Sequence, residues 1–250
     1  MRRVRTVGLL LTLVALSADG PKIKPNAPNL IPNGDFEKGD LTPTGWQTVD
    51  GLTTFYVKDD DPKRGKVVKF DTDVLQSQGY EWWSKIASGA SPKDAPKKQL
   101  TVEPKYDTLA GLDGVWFWSD PIPIEKDKSY WLTLDVKGPP ILVWLVGYPE
   151  KPSTAFGADE GAFLEFHKTR KTGVPPSQKR GREPFIHNYV WRGQLSAGGA
   201  DAWTTYSRRD KPFRPTANTP NVKFVRVLVY PFWPPGTYYV DNVRLVEVDR

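Results

Sequence analysis

The chain reads as an all-β protein, a sandwich of two antiparallel sheets, on three observations. Short runs of alternating apolar and polar residues recur along it, with turn residues between them. Proline and glycine number 24 and 21 of 250 residues, which suits many short strands joined by turns. No stretch carries a convincing amphipathic helical period, and no fixed-period repeat is present.

Two stretches frame the folded part. The opening piece, 29–46 (NLIPNGDFEKGDLTPTGW), runs from apolar Leu30 and Ile31 through an Asn33-Gly34 turn and Asp35-Phe36-Glu37. It ends in a Gly/Pro-rich loop on Trp46. The closing piece, 236–248 (GTYYVDNVRLVEV), alternates as a strand, placing Tyr239, Asp241, Val243 and Leu245 on one face. A carboxylate aligned with apolar neighbours needs a cation or several donors, because an unpaired buried charge is costly. Asp35 and Glu37, two apart in extended chain, are candidates to share that cation. The two ends are therefore expected to meet as neighbouring strands around a bound ion.

Between them, strands are expected at 52–58 and 66–70. The intervening turn, Asp59-Asp60-Asp61-Pro62-Lys63-Arg64-Gly65, reads as solvated before it reads as a cation site. Residues 75–86 form a short helix or a loop carrying Trp82 and Trp83, and 88–104 is a Ser/Pro/Lys-rich loop. A short aromatic strand falls at 114–119. At 129–137, Tyr130, Leu132, Leu134 and Val136 alternate with a mixed face. The short apolar run 141–146 suits a central strand. Little periodicity appears over 150–188, apart from one short element at 161–167. Strands follow at 188–195, 202–208 and 222–230, the last with Val225, Val227 and Val229 opposite Phe224, Arg226, Leu228 and Tyr230.

Residues 1–18 read as a secretory signal: Arg2, Arg3 and Arg5 precede an apolar run at 7–16. That run is well short of the roughly 20 apolar residues that span a bilayer. Residues 19–28 make a Pro-rich spacer, and 29–250 a single domain. The mature protein is then expected to be secreted, periplasmic or on the cell surface. Its charge falls from +6 to +3 as the three arginines leave, which gives no case for nucleic acid. The basic run 168–182, broken by Gly and Pro, reads as a solvated loop. There is no cysteine, so disulfides do not staple the fold.

The pair NLIPNGDFE…GW and GTYYVDNVRL resembles the two ends of jelly-roll carbohydrate-binding modules of the galactose-binding-like superfamily, closest to families 4 and 9. The stretch 118–138 (WSDPIPIEKDKSYWLTLDVKG) resembles their central block, and 203–230 the strand-loop-strand before the last strand. The four blocks occur in family order. The insertions at about 76–112 and 149–200 match nothing in the pattern. The resemblance implies a jelly-roll β-sandwich, a polysaccharide or glycan partner, and a structural calcium held by Glu37 and Asp241, with Asp35 as a further ligand.

A sugar site needs flat aromatic rings for pyranose faces and amide, carboxylate or guanidinium groups for hydroxyls. Ten tryptophans exceed what packing alone suggests. The candidates are Trp82, Trp83, Trp118, Trp144, Trp191, Arg226 and Tyr230; Trp46 and Trp203 belong to the resembling core pattern. Signatures of a Ser or Cys nucleophile, zinc protease, phosphate loop or dinucleotide site are absent. A jelly-roll lyase using His187 with Tyr189 and an Arg, or a hydrolase, is the alternative. A third reading is a structural or adhesive surface protein that has lost its sugar site.

Overall fold

The computed structural model describes residues 27–99, 105–112, 114–154, 189–208 and 211–249. The expected leader, the element at 161–167, the basic run, His167 and His187 lie outside these residues.

The strands are β1 (Thr54–Lys58), β2 (Lys66–Asp71), β3 (Phe117–Trp118), β4 (Ile122–Pro123), β5 (Ser129–Gly138), β6 (Ile141–Tyr148), β7 (Trp191–Ala197), β8 (Ala200–Ser207), β9 (Phe224–Tyr230) and β10 (Thr237–Val248). The helices are α1 (Gln76–Ala87) and the single turn α2 (Leu109–Leu112). One sheet runs β1-β2-β10-β5-β8; the other runs β3-β9-β6-β7, with β4 also pairing β9. All pairings are antiparallel. The expected all-β sandwich is therefore the observed architecture.

Alternation builds the core. Val68, Phe70, Leu132, Leu134, Val136, Tyr238 and Val240 of the first sheet meet Phe117, Val143, Leu145, Val225, Val227 and Val229 of the second. Each buried Leu or Val of this kind contributes about 1.5–3 kcal/mol relative to exposure. Trp46 joins this core, stacked on Phe117 with centroids 5.5 Å apart.

The two ends meet side by side, but the opening piece does so as bends and turns and not as the expected strand. The Leu30 N–H donates to the Leu245 carbonyl at 2.8 Å, and the Val243 N–H to the Gly34 carbonyl at 2.7 Å. Asn29 fastens the junction: its amide donates to the Val243 carbonyl, and its oxygen accepts from the Leu245 N–H, both at 2.9 Å.

Two expectations are corrected and one open alternative is resolved. First, Asp241 does not share a face with Val243 and Leu245. The β10–β5 register shifts between Asp241 and Arg244, and Asn242 takes a left-handed φ of 48°. This bulge reverses the alternation, so Tyr239 and Asp241 face out of the sandwich while Val243 and Leu245 stay in the core. Second, of the short helix or loop expected at 75–86, the structure forms the helix, at 76–87. Third, Trp203 lies on the outer face of the first sheet, half-buried beneath Arg64 and Lys137, not in the core.

Candidate functional site

The outer face of the second sheet gathers aromatics. Antiparallel pairing sets Trp144 opposite Leu228, Leu228 opposite Trp118, and Leu142 opposite Tyr230. Residues paired this way share a face. Trp118, Trp144, Arg226 and Tyr230, four of the seven expected ligand residues, therefore come together there. Trp116 joins them, 6.1 Å from Trp118, 6.5 Å from Trp144 and 5.4 Å from Tyr230 between ring centroids. The Tyr230 ring lies against the backbone of Gly114: at φ +70°, a Cβ there would lie 2.4 Å from that ring.

The run continues past the sheet. Phe232 stacks on Tyr230 at 5.8 Å and 25°, and the next residue, Trp233, lies nearly parallel to Tyr106 at 5.7 Å and 7°. Tyr106, Phe232 and Trp233 are 65%, 38% and 41% exposed. They are three of the five large apolar side chains left exposed among the described residues; the others are Leu41 and Val190. Exposed apolar groups scattered singly need no explanation, but these form two ring pairs linked through the adjacent residues Phe232 and Trp233, which makes them candidates for a binding surface. The supporting loop is tied down by backbone bonds: Thr72 N–H donates to the Gly236 carbonyl at 3.0 Å, and Val115 N–H to the Pro231 carbonyl at 2.9 Å.

Two arginines stand on this face, each over a tryptophan. Arg226 lies 4.9 Å from the Trp118 ring centroid and donates through Nε to the Ser119 carbonyl at 2.7 Å. Arg192, exposed on β7, lies 4.5 Å from the Trp144 ring centroid. Trp118 and Arg226 are buried, whereas Trp116, Trp144 and Tyr230 are half-buried.

The remaining expected ligand residues lie elsewhere. Trp82 is 5% exposed and donates through Nε1 to the Asp50 carbonyl at 2.6 Å. Trp83 donates to the Asp50 carboxylate at 2.6 Å. Both tie α1 to the 50–54 turn. Trp191 packs edge-on against Phe213 at 6.2 Å beside the core. Trp82 is buried, Trp83 and Trp191 are half-buried against the core, and both α1 indole donors are satisfied, so these rings serve packing here.

Asp35, Glu37 and Asp241 do not form one calcium donor set. Asp241 accepts from Arg64 Nη1 at 2.7 Å and from the Asn242 N–H at 2.7 Å. Arg64 also donates to Asp135 at 3.0 Å and lies 4.1 Å over the Trp203 ring. Glu37 accepts from the Lys66 N–H at 3.0 Å, and both Glu37 and Asp35 are exposed. Among the described residues no three His, Cys, Asp or Glu side chains are grouped to hold a metal. The cation answering Asp241 is a guanidinium from the charged β1–β2 turn.

Burial pushes the Asp241 carboxyl up to about 6, with Arg64 and the Asn242 N–H pulling the other way. Asp135 is also partly buried, but hydrogen bonds from Thr205, Asn242 and Arg64 outweigh this and hold it below the usual carboxylate range. A second acidic group, Asp71 and Asp73, closes on Lys98 Nζ at 2.9 and 2.6 Å. Burial pushes Asp71 up to about 6.

Sequence reasoning missed Tyr106, Phe232, Trp233, Trp116 and Arg192. One signal was available: Phe232-Trp233 between Pro231 and Pro234-Pro235-Gly236 is an aromatic pair in a proline-bounded loop, which here crosses from one sheet to the other.

No family model matches the chain, and no curated protein does. Solved structures to which it is similar include the enzymatically active domain of bacteriophage CBA120 tailspike protein 4, at 9% identity and a TM-score of 0.45. That match covers 88% of this chain and 21% of the other, so the chain spans about a fifth of the tailspike domain. A CBM4 structure aligns at 12% identity and a TM-score of 0.40, covering 87% and 99% of the two chains. TmCBM61 in complex with β-1,4-galactotriose aligns at 12% and 0.39, covering 88% and 98%. Likenesses this remote decide neither ligand nor activity.

Proposed function

We propose that this protein is an exported, non-catalytic binder of a polysaccharide or glycan, and that the aromatic run from Trp144 through Tyr230 and Phe232 to Trp233 and Tyr106 is its contact surface. The observation that carries this is the placing of three exposed rings, Tyr106, Phe232 and Trp233, in continuity with half-buried Tyr230, Trp116 and Trp144. Flat rings offer large contact area at small conformational cost and suit the apolar faces of pyranose rings. A run of rings suits an extended chain better than a single enclosed sugar.

Calcium is no part of this reading, since the carboxylate expected to hold it is paired with Arg64. Nor does an acid pair among the described residues favour hydrolysis. Asp71 and Asp73 converge on Lys98, and Asp71 Oδ1 is enclosed without a hydrogen-bond partner. A glycosidase instead keeps its two carboxyls about 5–10 Å apart and open to the scissile bond.

The test is affinity electrophoresis of the full chain in native gels containing single soluble polysaccharides. The expected result is retardation by at least one polymer, and release of most of it in Tyr106→Ala/Trp233→Ala at unchanged melting temperature. Migration unaffected by every polymer would leave the scaffold and adhesive reading in its place.

A further inference from the structure

We infer that the sugar bound on this surface is acidic, a glycan carrying carboxylate or sulfate, and that Arg192 pairs with its charge. This rests on the proposed glycan binding and adds the ligand's chemical class.

The strand register sets the geometry. Arg192 and Arg226 both pair with Val146, one from each side, and so stand on one rung of the outer face. Alternate strands are about 9.5 Å apart, so two guanidinium stems project from one face with a single valine between them. Two cationic groups on one rung give this part of the face a positive potential that attracts an anion. Arg226 is committed within the protein, through Ser119 and Trp118.

Arg192 is placed differently. It is exposed on the end strand of the sheet, and its described contact is with the face of Trp144 at 4.5 Å. Among the described residues no carboxylate pairs with it and no acceptor takes its N–H groups, although Lys98, Lys128, Lys137 and Arg64 are all matched with acids. A guanidinium stacked on a ring keeps its five in-plane donors directed along the surface, a geometry that fits a carboxylate or sulfate bidentately. Trp144 lies 5.4 Å from Tyr230, so a pyranose on these rings would hold its acidic substituent within reach of Arg192. Gln194 and Ser196, exposed on the same strand and hydrogen-bonded to each other at 3.1 Å, add neutral polar groups beside it.

The experiment measures binding of the full chain to polygalacturonate, to the same polymer fully methyl-esterified, and to a neutral galactan, by affinity electrophoresis at low and high salt. The expected result is tightest binding to polygalacturonate, weakened about five- to tenfold by esterification and clearly by added salt. Arg192→Gln should erase the preference while keeping residual binding to the esterified polymer, and Arg192→Lys should restore part of it. If galactan or the esterified polymer binds as tightly as the acid, or Arg192→Gln keeps the wild-type ratio, the acidic-sugar inference is overturned while glycan binding stands. If all three polymers leave the protein unretarded, this inference is overturned, and the wider polysaccharide panel decides the glycan reading.

Discussion

Arg64 is the residue on which the junction of the two chain ends depends. It answers two carboxylates at 2.7 and 3.0 Å while its face covers Trp203. Removing it strands Asp241, whose side chain is 6% exposed. Arg64→Ala should therefore cost about 2–3 kcal/mol in urea denaturation at neutral pH, below the figure for a fully buried pair because the guanidinium is itself partly solvated. The pH dependence has a definite sign. The folded Asp241 carboxyl titrates near 6, against 3.8 for its ordinary value, so its proton is held more tightly in the native state. Its stabilising effect is fully present below about pH 3.8 and is lost as pH rises through 6. Asp71 follows the same direction. Wild-type protein should thus melt higher at pH 5 than at pH 7.5, and Arg64→Ala should steepen that fall. A melting temperature rising from pH 5 to 7.5 would count against this assignment. None of this was legible in the sequence, where Arg64 sat in a turn read as solvated and its partners were 71 and 177 residues away.

At the scale of single elements, period-2 alternation was a reliable guide wherever the ladder was regular. The faces expected for β5 and β9 are those observed, and their inward residues form the core. In β10 the same rule failed at one point, because a bulge at Asn242 shifts the phase and alternation cannot anticipate it. Asn is tolerated there at φ 48°, and its side chain donates to Asp135 at 2.9 Å. Asn242→Val should lose that bond and strain the left-handed backbone, costing about 1–2 kcal/mol in chemical denaturation, whereas Asn242→Gly should cost less. Equal losses for both variants would mean that the backbone conformation is not what the position demands. For helix α1 the sequence left helix and loop both open, for a different reason. Its N-cap is Leu75 without a side-chain cap, and Gly79 interrupts it. It is held from outside, by Trp82 and Trp83 on Asp50 and by the close packing of Gly79 on Leu109. Local propensity does not report contacts of that kind.

The whole molecule joins a rigid two-sheet scaffold to a ring surface laid over one sheet and around one end. The tryptophan count pointed to such a surface, and register could have grouped Trp118, Trp144 and Tyr230 once strand order was known. Strand order is a property of the fold, so Tyr106 and Trp233, more than a hundred residues apart, could not be paired in advance. The same long-range logic brings Arg64 to Asp241 at the junction, where the sequence reading placed an ion. EDTA followed by excess calcium should leave the melting temperature unchanged within about 1 °C, well inside what one lost kcal/mol produces. A chelator-sensitive melt would restore the ion.

The central claim is that the exposed rings at the end of the sandwich hold sugar. Isothermal titration of the tightest-binding oligosaccharide into wild-type protein and into Tyr106→Ala/Trp233→Ala tests it most directly. At least tenfold weaker binding by the variant, with its fold intact by circular dichroism, is the predicted result. Equal affinity in the two proteins would contradict it.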